Sequence, residues 1–273
     1  MQSSDALITG NTFISNTADD GGGGLYVTGG PATLVGNTIR GNIAPSGLGL
    51  NWSNATLTRN TLVGNTGSTG ALVLSFSDAA LNENIIISNT VGSGLFLQAS
   101  NAVLTNTVVA HNKTTTGRGM YVYGSSPLLL HTTIVDNSGG NSIGIYVTSY
   151  SSYTSTVVMT NTILAGHTTG ILVYGGNQAR LEGTLWYSNT SADWDGYGDI
   201  FTGTHNYWGD PRFAVDGYHL MPGSAAIDKG VNAGVISDID GDSRPQGGGY
   251  DLGADEVVGL EWHYLYLPLI LRN

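Results

Sequence analysis

Short apolar runs rich in β-branched residues, bounded by Gly and Asn, recur along most of the chain around one phrase, Asn-Thr-apolar-x-x-Asn. It stands at Asn11-Thr12-Phe13-Ile14-Ser15-Asn16, Asn37-Thr38-Ile39-Arg40-Gly41-Asn42 and Asn60-Thr61-Leu62-Val63-Gly64-Asn65. Weaker copies start at Asn84, Asn106, Thr132, Asn161 and Gly183, so the steps are 26, 23, 24, 22, 26, 29 and 22 residues. A period in this range marks a solenoid whose coils stack one on the next. Aligned on their first residue, the copies place Phe13, Ile39, Leu62, Ile86, Val108, Ile134, Ile163 and Leu185 in one apolar column. Three places earlier stand Ile8, Leu34, Leu57, Leu81, Val103, Leu129, Val158 and Arg180, apolar in all but the last. Runs this short, flanked by turn residues, predict strands.

A second strand follows in each coil, usually after a Gly, as in Gly24-Leu25-Tyr26-Val27, Gly119-Met120-Tyr121-Val122 and Gly144-Ile145-Tyr146-Val147. Period-two alternation turns the middle residue outward. The expected outward column is Tyr26, Asn51, Leu72, Phe96, Tyr121, Tyr146 and Leu172. Coils stacked about 4.8 Å apart predict an all-β solenoid of about eight or nine coils. The repeated Asn suits tight bends and stacked side-chain amides. The pattern breaks after Gly183, and His205-Asn206-Tyr207-Trp208 reads as a closing coil. The expected organisation is coils over 1–213, a loop-rich cap over 214–257 covering the end of the rod, and a hydrophobic tail over 258–273.

Composition narrows the function classes. A net charge of -11 with nine Lys and Arg excludes a phosphate-binding face, and with it nucleic acid. There is no cysteine, so thiol chemistry is excluded. No apolar run reaches 18 residues, so no transmembrane helix is expected. The polar start, Met1-Gln2-Ser3-Ser4-Asp5, contains no leader, which implies a fragment or a mature form.

The coils resemble those of the right-handed parallel β-helix proteins of the pectate-lyase-like superfamily. Two further stretches carry a narrower resemblance: Pro222-Gly223-Ser224-Ala225-Ala226-Ile227-Asp228 and Asp251-Leu252-Gly253-Ala254-Asp255-Glu256. They are similar to the C-terminal segment of bacterial surface proteins described as choice-of-anchor Q domain proteins. The tail Tyr264-Leu265-Tyr266-Leu267-Pro268-Leu269-Ile270-Leu271 resembles C-terminal tails of exported proteins of Chloroflexota-type bacteria. These resemblances imply a secreted or cell-surface protein. The β-helix fold itself hosts lyases, hydrolases, adhesins and passive stalks.

Four features are candidates for chemistry. The aromatic column with Tyr26, Phe96, Tyr121, Tyr123, Tyr146 and Tyr174, flanked by Arg118, suits sugar rings, which present apolar C–H faces to planar side chains. Asp238, Asp240 and Asp242 alternate around Gly241 as in a calcium loop, but Gly249 stands where an EF-hand has its last acidic ligand. The expected cofactor is none, or calcium at this loop. The Thr of the phrase and the residue two places on would form a flat Thr-and-aliphatic face that ice, a neighbouring rod or the tail would cover. The tail, with Trp262, Tyr264, Tyr266, Leu267, Leu269 and Leu271, is a candidate for anchoring or self-assembly by strand addition. The outward column holds no carboxylate, and no carboxylate pair recurs at the spacing glycoside hydrolysis needs. The expectation is a surface structural or adhesive module whose partner is a polysaccharide or another surface protein. The alternative is a carbohydrate-active enzyme, a pectate-lyase-like lyase, which two carboxylates converging beside Arg118 or Arg180 would favour.

Overall fold

The computed structural model describes residues 5–258. Its described part is all β, with 24 strands and no helix. Three rows of parallel strands run along a rod of eight coils. The first row begins Ala6–Thr9, Ala32–Val35, Thr56–Thr58, and the second Thr12–Ile14, Thr38–Arg40, Thr61–Val63. The two rows merge where Thr156–Ala165 and Gln178–Tyr187 run through both. The third row holds eight strands, from Gly22–Thr28 to Ala192–Gly196. The expected closing coil is present: Asn206–Trp208 pairs with Gln178–Tyr187.

Each corner of the coil is built the same way: a residue in the left-handed region turns the chain, and the next residue sends a polar side chain inward. The second corner has Asn16, Asn42, Asn65, Asn89, Asn112 and Asn137, the first five each donating the side-chain amide to the side-chain carbonyl oxygen of the next at 2.9–3.0 Å. The third corner carries a serine ladder that the sequence reading did not find, Ser53, Ser77, Ser100, Ser125 and Ser155. The Gly before the third-row strand is explained by the second ladder. A Cβ on Gly119 would stand 2.8 Å from the Asn137 amide nitrogen, and one on Gly47 3.0 Å from Asn65.

Three copies of the phrase are offset by one residue from the expected alignment. Ile85 pairs with Val108, and Ile163 with Leu185, in the outward column that begins Thr12, Thr38, Thr61. The core positions there are Leu104, Val109, Met159, Leu164, Leu181 and Trp186, not Val103, Val108, Val158, Ile163, Arg180 and Leu185. Asn106 and Asn161 occupy the left-handed corner position (φ 47° and 56°), and Thr107 and Thr162 take the buried ladder position. Asn tolerates both sites, so Asn-Thr reads identically in either frame. The outward column differs in the same way: Leu72 is core, and Gly49 and Val73 stand in register with Tyr26 and Phe96.

The offset has a consequence outside the coils. Val108, Ala110, Val135, Ile163, Ala165 and Leu185 face away from the rod's interior yet are buried, against Leu220, Ala226, Ile239, Leu252 and Ala254. Segment 214–257 therefore lies along the flank of the second row and covers the apolar stripe that the Thr-and-aliphatic reading left open. Its apolar residues pack on this stripe and not over the end of the rod, as the outward apolar side chains of the second row need cover from water. Asn106 donates to the Ser237 carbonyl at 2.7 Å. Asn161 exchanges two bonds with Val231, and the Ala254 N–H donates to Thr133 Oγ1.

The second ladder has one irregular rung. His167 stands where the neighbouring coils carry Asn and is buried, and burial pushes its imidazole down to about 4. The folded-state value lies below the unfolded one of about 6.5. The stability this group contributes is complete above pH 6.5 and is lost as pH falls towards 4. His167→Asn should extend the ladder and remove that loss. The variant is expected to gain on the order of 2 kcal/mol over the parent at pH 4.5 relative to pH 7.5. Denaturant midpoints of both proteins at the two pH values check this, and an equal difference at both would contradict it.

Candidate functional site

The third face gathers most of the sequence-predicted aromatics. Phe96, Tyr121 and Tyr146 stand in successive coils in one register column, with ring centroids 5.0 and 5.4 Å apart. Tyr174 packs on Tyr146 at 5.5 Å, and Tyr123 on Tyr121 at 5.4 Å. Arg118 lies within the strand Lys113–Tyr123 and not in a preceding loop. Its guanidinium carbon sits 4.2 Å from the Tyr121 ring centre and 4.1 Å from that of Tyr146, held between two π faces. Burial raises the Tyr121 and Tyr146 phenols above the ordinary tyrosine value, with Tyr174 adding to the rise at Tyr146. Both therefore remain hydroxyl donors at neutral pH.

Tyr26 shares the column but lies three coils from Phe96. It lines a separate groove of about 300 Å³ floored by Gly49, with Phe76 and Gln98 also on its wall. The small Gly49 and Val73 interrupt the aromatic column and open this groove.

Four aromatics that extend the face were not singled out from the sequence. Trp52 and Phe76 stand at the third corner with positive φ and stack at 4.4 Å, their planes 3° apart. Tyr150 and Tyr153 come from an insertion, Ser149-Tyr150-Ser151-Ser152-Tyr153, that folds back over the face. Tyr150 reaches Tyr123 at 4.8 Å and Phe76 at 6.2 Å. The 29-residue step between the copies at Thr132 and Asn161 was the available signal for this insertion.

The acidic residues serve the flank segment. Asp238 is fully buried and accepts the N–H groups of Asp240, Asp242 and Glu256 at 2.8–3.0 Å. Asp240 turns away to His219 Nε2 at 2.7 Å, while His219 Nδ1 meets Asp216 at 2.6 Å. Of the carboxylates of the expected calcium loop, that of Asp238 is thus taken up by backbone N–H groups and that of Asp240 by His219. Asp251 accepts the N–H groups of Asp228 and Val257, and Asp255 that of Leu220. Burial raises both carboxyls to about 6. Arg244 and Glu256 form an ion pair at 2.7 Å with both side chains wholly buried. The motif Asp251-Leu252-Gly253-Ala254-Asp255-Glu256 is thus a staple, with its apolar residues on the stripe and its acids holding the segment's own loops. Among the described residues neither Arg118 nor Arg180 forms an ion pair. Arg180 lies over Phe201 at 4.9 Å. Trp262, Tyr264, Tyr266, Leu267, Leu269 and Leu271 lie outside the described residues.

The parallel rows, the inward polar ladders and the repeat define the protein class, a β-helix solenoid. The chain belongs to the right handed beta helix family, whose model matches residues 1–157. No curated protein sequence matches it. Among solved structures it is similar to the crystal structure of pectate lyase Pel9A, at 11% identity over 92% of this chain and 87% of that one, with a TM-score of 0.44. It is also similar to the A-module of the Azotobacter vinelandii mannuronan C-5 epimerase AlgE6, at 12% identity over 76% of this chain and 58% of that one, with a TM-score of 0.38. Similarity this distant leaves the function to be argued from the chain's own residues.

Proposed function

We propose that the protein is a secreted or cell-surface β-helix module that binds polysaccharide through its third face. The observation that carries this reading is the run of rings from Phe96 to Tyr174 with Arg118 seated between two of them. Rings at coil spacing along a rod offer repeated stacking sites to a linear sugar chain, and the protonated phenols and the guanidinium offer donors to its hydroxyls. The flank segment covers the second-row stripe and leaves the third face open to a ligand. Surface placement rests on the resemblance of the C-terminal segment, and anchoring or fibre assembly through residues 258–273 is part of the same proposal.

The test is retention on insoluble polysaccharides. The parent protein should be retained on at least one of them, and Tyr121→Ala/Tyr146→Ala should lose at least tenfold in affinity at unchanged thermal stability. Equal retention of parent and variant would sink the reading. The enzyme alternative predicts instead that the polysaccharide is cut, visible as new reducing or unsaturated ends.

A further inference from the structure

The third corner carries a second, distinct cavity, and resting on the saccharide-binding reading we propose it as the subsite that takes a neutral pyranose ring. The corner column reads Trp52, Phe76, Ala99, Gly124 in successive coils, as their backbone N–H groups donate in turn to the next coil. Two large rings are followed by two positions with little or no side chain. The result is a notch of about 510 Å³, with Ala99 and Gly124 on its floor, Trp52 and Phe76 on one wall and Tyr153 on another. Trp52 and Tyr153 are 64% and 57% exposed, so both rings are open to a ligand.

The walls are built, not incidental. Trp52 and Phe76 hold each other coplanar. Tyr150 packs edge-on against Phe76 and lies 6.5 Å from Tyr153 with planes 12° apart. Tyr153 itself is fixed by two backbone bonds between residues 150 and 153 at 2.9 Å each. A pyranose ring offers apolar C–H faces to such walls and hydroxyls at its edge. The polar rim matches those hydroxyls: Asn101, Ser126 and Ser152 line the notch. The Asn101 carbonyl oxygen is held by the Ser126 N–H at 2.8 Å, which aims the amide group.

Charge selects the class of sugar. None of the residues lining the notch is cationic. Asp78, whose carboxylate accepts the Asn101 N–H at 2.6 Å, places negative charge beside it. A uronic acid or sulfated ring would meet repulsion there with no partner for its charge, so the fitting ligand is a neutral hexose or pentose polymer.

The experiment uses the full chain, titrated by calorimetry with cellohexaose, mannohexaose, xylohexaose and hexagalacturonate. Ala99→Phe fills the notch, at a position where Trp52 and Phe76 show that the same backbone (φ 48° against 54° and 50°) carries a large ring. Tyr153→Ala removes a wall, and Tyr197→Ala, at an exposed ring away from the face, serves as a control. The expected result is binding of at least one neutral hexamer, weakened tenfold or more by Ala99→Phe and by Tyr153→Ala and less than twofold by Tyr197→Ala. Binding untouched by Ala99→Phe and Tyr153→Ala but lost in Tyr121→Ala/Tyr146→Ala would overturn the subsite and leave the module reading standing. Preference for hexagalacturonate would overturn the neutral class. Failure of the parent to bind any hexamer or the parent polysaccharides would overturn both readings together.

Discussion

Arg244→Met should release the flank segment from the rod while the coils stay folded. Both members of the Arg244–Glu256 pair are shielded from water. Arg244 also donates to the Gly253 carbonyl at 2.9 Å, in the middle of the staple. Removing the guanidinium leaves the Glu256 carboxylate buried against Asp251 and Asp238 with no counter-charge, a change that costs about 3–5 kcal/mol. The segment's own apolar contacts are few compared with the main core, which is contiguous along the coils and independent of it. The expected outcome is rapid proteolysis between residues 214 and 258, binding of an apolar dye to the uncovered Val108–Leu185 stripe, and a far-ultraviolet spectrum close to the parent's. Arg244→Met/Glu256→Leu should recover most of the lost stability, because a buried pair replaced by apolar groups leaves no orphan charge. A protease-resistant single variant would contradict the account of the staple.

The second large effect concerns the ladders. Asn65 donates to the Ile39 carbonyl and to Asn89 at 2.9 Å, and accepts from the Asn42 backbone N–H and side chain at 3.0 Å. Asn65→Leu keeps the volume but orphans the Asn42 N–H in the interior. Each unsatisfied buried group costs roughly 1–3 kcal/mol, so a loss of about 3–5 kcal/mol is expected from chemical denaturation. Asn54 supplies the control. It also accepts a backbone N–H from the next coil, that of Asp78, but on the exposed side of the corner. Asn54→Ala should cost under about 1 kcal/mol. Equal losses at both positions would mean that the buried ladder has no special role.

Much of the fold was legible in the chain in advance. Coil number and most core columns followed from period and alternation, because stacked coils repeat the same apolar positions, whereas the division of each coil into three strands did not. The one-residue offset at Asn106 and Asn161 was hidden because Asn serves both at a left-handed corner and in a ladder. The clue lay in the outward column, where Thr12, Thr38 and Thr61 give way to Ile85, Val108, Ile163 and Leu185. That change marks the start of a second buried surface, which a coil-by-coil reading does not anticipate. For the candidate site, the column Phe96, Tyr121, Tyr146 was legible because alternation alone turns it outward. Trp52 and Phe76 were not, since a bulky residue with positive φ is an uncommon choice at a corner. Tyr150 and Tyr153 reach the face only through the fold of an insertion. For the acids of residues 238–256 the spacing is visible in the chain, while the backbone N–H partners of Asp238, Asp251 and Asp255 are not.

The central claim is that the third face is the ligand-binding surface. Oxidative footprinting of the parent protein by mass spectrometry, with and without a retained polysaccharide, tests it most directly. The account predicts protection of Trp52, Tyr146, Tyr153 and Tyr174, with Tyr187, Tyr197 and Trp208 labelled equally in both states. Protection confined to Tyr187, Tyr197 and Trp208, or equal labelling of all seven residues, would contradict it.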